Sequence, residues 1–63
     1  MTLEERIRIV DVLSALLGYS QGAAWTSFNG QGFSDAEAEA KAEAISEHKR
    51  ARELLNDLVK GAP

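Results

Sequence analysis

The sequence predicts an all-α protein, an antiparallel hairpin of two long helices, and three observations support this prediction. Apolar residues recur at helical spacing through the first half of the chain. Helix-start signals of the form Ser/Thr-x-x-Glu begin at Thr2 and at Ser34. Between them lies Asn-Gly-Gln-Gly at 29–32, which is typical of a helix end. With only 63 residues and no cysteine, we expect a single domain over 1–63.

The first helix is predicted over residues 3–28. Thr2 and Glu5 have the spacing of a capping box, in which each side chain bonds the backbone N–H of the other residue. The apolar residues that recur every three, four or seven positions are Leu3, Ile7, Val10, Leu13, Leu17, Ala24 and Phe28. Gly18 and Gly22 each cost about 1 kcal/mol relative to alanine, so a break near Gly18–Ser20 is the alternative to a continuous helix.

The second helix is predicted over residues 35–60, after a loop at 29–34. This segment contains no glycine or proline and is rich in good helix formers, and Gly61 follows as a C-terminal cap. On a helical wheel one apolar stripe emerges, formed by Ala36, Ala40, Ala44, Ala51, Leu54, Leu55, Leu58 and Val59. We therefore expect this stripe to pack against the first helix.

The first helix carries a second apolar face that one neighbouring helix cannot cover. This second face points in a different direction from the face that contains Leu13 and Leu17. An exposed apolar surface of this size usually marks an interface. Small residues at Ser14, Gly18 and Gly22 also allow a close helix crossing, although a local helix break is an equally weighted explanation. We therefore predict a homodimer that forms a four-helix bundle. The residues assigned to self-association are Ile9, Val12, Leu16, Gly18, Gly22 and Ala23.

All four aromatic residues fall within a glycine-containing segment that has no charged residue. Aromatic side chains in such a segment are typical of a surface that binds a partner protein. The candidate partner-binding residues are Tyr19, Trp25, Phe28 and Phe33. The alternative is that Phe28 and Phe33 fill the loop end of the hairpin, and we favour this interpretation for those two residues.

Composition argues against several classes of function. The net charge is −3 at pH 7, so bulk attraction to nucleic acid is not expected. The basic cluster at 48–52 is bracketed by Glu47 and Glu53, which is typical of a solvated helix face. Residues 12–33 carry no charge, but many of them are polar, which disfavours a membrane span. His48 is expected at the edge of the apolar stripe rather than as a ligand or base.

The sequence therefore predicts a small protein-interaction module rather than an enzyme. We expect no metal and no cofactor, and no signal peptide is evident, which favours the cytoplasm. The expected partners are a second copy and another protein, with a role as adaptor, assembly subunit or inhibitor of bacterial or phage type. The alternatives are a dimeric hairpin that binds nucleic acid and, with less support, a membrane-associated peptide.

Overall fold

The computed structural model describes residues 1–61, and this part of the chain contains helices and turns but no strand. The helices are α1 (Leu3–Gly30), α2 (Asp35–Glu43) and α3 (Ser46–Lys60). Both α2 and α3 pack on α1 and run back along it, from the Phe28–Phe33 contact at one end to Gly61 beside Arg6 at the other. The molecule is a rod of 45 × 16 × 14 Å. The all-α class is confirmed, but three helices replace the predicted two.

Helix α1 begins with the predicted capping box and continues without interruption. The Thr2 hydroxyl accepts from the Glu5 N–H at 3.1 Å, and the Glu5 carboxylate accepts from the Thr2 N–H at 3.4 Å. The alternative of a break near Gly18–Ser20 is wrong. Leu17 is buried and Gln21 is half-buried, so tertiary contacts beside the glycines offset their low helix propensity.

A tight turn joins α1 to α2. Helix α1 extends to Gly30, two residues beyond its predicted end. Gly32 then adopts φ 103°, a left-handed conformation that glycine enters without steric cost. The Asn29 side chain donates to the Phe33 carbonyl at 3.0 Å, and the Ser34 hydroxyl accepts from the Glu37 N–H at 3.3 Å to begin α2. The turn thus reverses the chain and caps the next helix.

The prediction of one continuous helix over 35–60 is wrong, because the chain breaks between α2 and α3. Ala44 caps α2, and Ile45 then adopts φ −59° and ψ 128°, an extended conformation. No glycine or proline marks this position. Lys49 donates its N–H to the Ile45 carbonyl at 3.0 Å, so the helix resumes at once.

The break changes which alanines face α1. An unbroken helix advances about 100° per residue, so Ala42 and Leu58 would point in directions roughly 160° apart. The extended residue at Ile45 rotates α2 relative to α3, and both side chains can then face α1. The wheel for an unbroken helix grouped the leucines with Ala36, Ala40 and Ala44, which the structure leaves exposed. Alanine at every second position from 36 to 44 offers two possible faces, and the sequence pattern favoured the wrong one.

The core of the described chain is thin. Its buried residues are Leu17, Ala38, Ala42 and His48. A half-buried row surrounds them, with Val10, Leu13, Ala24 and Phe28 on α1 and Ala51, Leu55 and Leu58 on α3. Four residues that were expected to pack in the hairpin, Leu3, Ile7, Leu54 and Val59, remain largely exposed. The chain alone therefore buries little apolar surface.

The break predicts that proline is tolerated at position 46. Ser46 is the first residue of α3, where proline loses no helical hydrogen bond, and Ile45 already has the extended ψ that precedes proline. We expect Ser46→Pro to change the free energy of unfolding by less than about 1 kcal/mol, measured by urea denaturation.

Arg50→Pro, in the second turn of α3, provides the control and should cost about 3 kcal/mol or more. Equal damage by the two substitutions would show that residues 35–60 form one continuous helix.

Candidate functional site

A single buried histidine connects all three helices. His48, on α3, is only 6% exposed. Its Nδ1 lies 2.7 Å from the Ala42 carbonyl oxygen near the end of α2. Its Nε2 lies 2.6 Å from the Ser20 hydroxyl on α1. The ring therefore holds α2, α3 and α1 in one register.

The chemistry of the partners fixes the proton positions on the neutral ring. A carbonyl oxygen only accepts hydrogen bonds, so Nδ1 carries the hydrogen and donates to Ala42. Nε2 then accepts from the hydroxyl of Ser20. Removing one hydrogen-bond partner would leave a buried polar group unsatisfied, which would lower the free energy of unfolding by about 1–3 kcal/mol. Both ring nitrogens are thus engaged in holding the fold together.

Sequence reasoning placed His48 at the edge of a stripe, whereas the structure buries it. A helical wheel drawn for one unbroken helix over 35–60 placed His48 at the edge of the apolar stripe. Because the chain breaks at Ile45, that wheel does not describe which side of α3 faces α1. The sequence does contain one indication that His48 is buried, because the apolar residues Ile45 and Ala51 lie three residues before and three residues after it. This spacing places the three side chains on one inward-facing row.

The second apolar face predicted for the first helix is exposed in the structure. Ile9, Val12, Leu16 and Ala23 form this surface, here called the outer apolar face. Ile9, Val12 and Leu16 also line a shallow groove with Leu13 and Arg8. A surface formed mainly by aliphatic side chains gains free energy when another apolar surface covers it.

Gly18 and Gly22 lie on a different side of α1 from the outer apolar face. They form the floor of a shallow groove between Tyr19 and Trp25, which Ala23 and Thr26 also line. We call this surface the glycine groove. A Cβ atom added at Gly18 or Gly22 would meet nothing within 4 Å. The six residues assigned to self-association are therefore divided between two faces.

The four aromatic residues divide into two pairs. Tyr19 is 81% exposed and Trp25 41% exposed, and they flank the glycine groove. Phe28 and Phe33 instead contact each other edge to face, with ring centroids 6.0 Å apart. The Lys41 ammonium lies 4.5 Å from the Phe33 ring centroid, within the range of a cation–π interaction. Phe28 and Phe33 thus close the turn end of the rod.

A third groove lies at the opposite end of the rod. Leu3, Ile7 and Val10 of α1 line it together with Leu58 and Val59 of α3. Polar groups share this groove, including the Arg6 and Asp11 side chains. It is therefore less uniformly apolar than the outer apolar face.

Comparison with known proteins assigns no family, because no family model, curated protein or solved structure matches the chain significantly. Among residues 1–61, no helix has the length and apolar character needed to cross a membrane. Over the same range, no three histidine or carboxylate side chains converge as metal ligands.

The open space above Gly18 predicts that Gly18→Ala stabilises the chain. Alanine has the higher helix propensity and its Cβ would meet no neighbour, so we expect the free energy of unfolding to rise by about 0.5–1 kcal/mol. Urea denaturation followed by circular dichroism measures this change.

The converse substitution Ala15→Gly, at an exposed position one turn earlier, is the matched control and should lose a similar amount. A loss of stability with Gly18→Ala would mean that another helix packs closely against this position.

Proposed function

We propose that this chain is a non-enzymatic protein-interaction module that works as a helical homo-oligomer. In this proposal it is a small cytoplasmic regulator of bacterial or phage type, an adaptor, assembly subunit or inhibitor of another protein. Two copies form a four-helix bundle in which α2 and α3 of each chain together take the place of one long helix, and an aromatic surface contacts the target. The amount of surface that the chain leaves uncovered is the main support.

The accessible surface is larger than a folded chain of this mass normally has. The structure exposes 4735 Å², whereas a compact monomer of 6.8 kDa exposes about 4,000 Å². The radius of gyration is 13.8 Å, compared with roughly 10.6 Å for a compact domain of this length. The excess of about 800 Å² is close to the area that one partner contributes to a standard interface. The free chain therefore resembles one half of an assembly.

The exposed surfaces support two different contacts. The outer apolar face is aliphatic and suits permanent burial between helices. The glycine groove combines bare backbone with Tyr19 and Trp25. Tyrosine and tryptophan are enriched among the residues that dominate binding energy at interfaces. In our proposal, the glycine groove contacts the target protein.

The Ser20–His48 pair supports a structural role rather than catalysis. A catalytic serine needs a base that can accept its proton beside a bound substrate. Here the histidine is buried and holds three helices together through both ring nitrogens. The pair thus has a structural role that does not require catalysis.

The basic cluster gives little support to nucleic-acid binding. His48 is buried, and the Arg50 guanidinium donates to the Ser46 hydroxyl at 3.2 Å. Lys49 and Arg52 share a groove with Glu43, whose carboxylate lowers the local positive potential. The cluster thus does not form a single basic surface.

We expect Trp25→Ala to weaken binding of the target protein, because Trp25 is 41% exposed at the rim of the glycine groove. A loss of about 2 kcal/mol, roughly thirtyfold in Kd, is typical of a central aromatic contact. Affinity capture from a host extract, followed by titration of the purified target, measures it.

Val59→Ala is the control, since Val59 is exposed at the far end of the rod. Equal retention of the target by the Trp25→Ala and wild-type chains would contradict the assignment. Retention of RNA or DNA with steep salt dependence, in place of a protein, would favour the nucleic-acid alternative.

A further inference from the structure

We infer that a second copy of this chain covers the outer apolar face, so that two hairpins pack about a two-fold axis with these faces in contact. This inference rests on the proposed function, which requires a homo-oligomer but does not specify the surface. It assigns Ile9, Val12 and Leu16 to the dimer interface. It removes Gly18 and Gly22 from that interface and leaves the glycine groove free for the target.

Helix α3 contributes to the same surface. The half-buried residues Leu55 and Leu58 mark the side of α3 that faces α1. Leu54 and Val59 lie on opposite sides of these two residues, because Leu54 precedes them and Val59 follows them around the helix. Val59 shares a groove with Leu3 and Ile7. Leu54 therefore lies on the other side of the rod, the side of the outer apolar face. Both layers of the hairpin thus present apolar side chains in this direction.

One additional layer of helices would cover this exposed surface. Domains bury apolar faces by packing layers of secondary structure, and here α1 has one neighbouring layer but two apolar faces. The excess accessible surface of the whole chain, about 800 Å², is close to one partner's share of a standard interface. A second hairpin of the same dimensions would supply a layer of matching length.

The thin core identifies the occupant as a second copy rather than an occasional partner. Leu17 is the only large aliphatic residue buried within residues 1–61. A chain with so little core needs this face covered in order to stay folded, and obligate homodimers have this property. Another copy is present whenever the chain is made, whereas a different protein is not. The need for constant coverage therefore favours self-association.

The character of the face also suits contact with itself. A two-fold interface brings identical patches together, so a patch with one dominant charge would repel its copy. The outer apolar face lies mostly within residues 12–33, which carry no charge. At its start, Arg8 and Glu5 contribute charges of both signs. Two copies of this face can therefore pack together without burying an unpaired charge at the centre of the interface.

The glycine groove remains accessible in this arrangement. Gly22 and Leu16 lie about a third of a turn apart around α1, so covering Leu16 leaves the groove facing another direction. Trp25 and the backbone of Gly18 and Gly22 can then contact a target from each copy, while Tyr19 and Ala23 lie at the boundary between the two surfaces. The dimer would present two target-binding surfaces.

Single cysteines test this inference, because the wild-type chain has none. Val12→Cys and Ile7→Cys are matched probes, since Val12 is 58% and Ile7 59% exposed in the single chain. Reaction of each thiol with Ellman's reagent is followed at increasing protein concentration, with sedimentation equilibrium on the same samples. We expect the Val12→Cys thiol to react about tenfold more slowly once roughly nine-tenths of the chain is dimeric, because only the dissociated chain then exposes the thiol. The Ile7→Cys thiol should lose much less reactivity, because Ile7 remains 59% exposed in the folded chain and lies outside the proposed interface.

The outcomes separate this inference from the proposed function. Protection of the Ile7→Cys thiol instead, or no protection of either thiol in a sedimenting dimer, would overturn the assigned face but leave the homo-oligomer standing. A folded wild-type monomer at every concentration would overturn both. If circular dichroism shows that Val12→Cys does not fold, Leu54→Cys replaces it as a probe of the same face, with the same expected protection.

Discussion

The structure depends on a mismatch between α1 and the layer that packs on it. Helix α1 is apolar on two faces, and α2 and α3 together cover one of them. The covered face supplies Leu17 and the half-buried row around it, while Ile9, Val12 and Leu16 remain on the surface. Apolar burial is the main favourable term in folding, so covering this face would add to the stability of the chain. The elongated shape, the thin core and the proposed assembly all follow from this mismatch.

His48 gives this thin core its register. Small alanines at 38 and 42 allow α2 to approach α1 closely but do little to fix its position. The imidazole fixes the position of the helices relative to one another, because its hydrogen bonds to Ser20 and Ala42 can both form in only one geometry. One buried ring thus bridges the interruption between α2 and α3 and also ties both to α1. A polar residue at the centre of so small a core favours one arrangement over alternatives that aliphatic contacts alone would tolerate.

The sequence predicted the features that are encoded locally. The caps at Thr2 and Ser34, the inward row of α1 and the exposure of Ile9, Val12 and Leu16 follow from hydrogen-bond chemistry and helical periodicity. The break at Ile45 could not be predicted in the same way, because it arises from matching two helix segments to α1 rather than from a breaking residue. The wrong alanine face and the misplaced His48 are consequences of that single break. Conversely, the interior glycines suggested a break in α1 that tertiary packing prevents.

The central claim is that the fold depends on coverage of α1 by another chain, and the concentration dependence of unfolding tests it most directly. For a homodimer, the urea midpoint rises with total protein concentration, because dissociation accompanies unfolding. Measurements from about 1 to 100 μM should therefore shift the midpoint steadily upward. A sharp transition whose midpoint is independent of concentration would show that the single chain is stable by itself, and it would contradict this account.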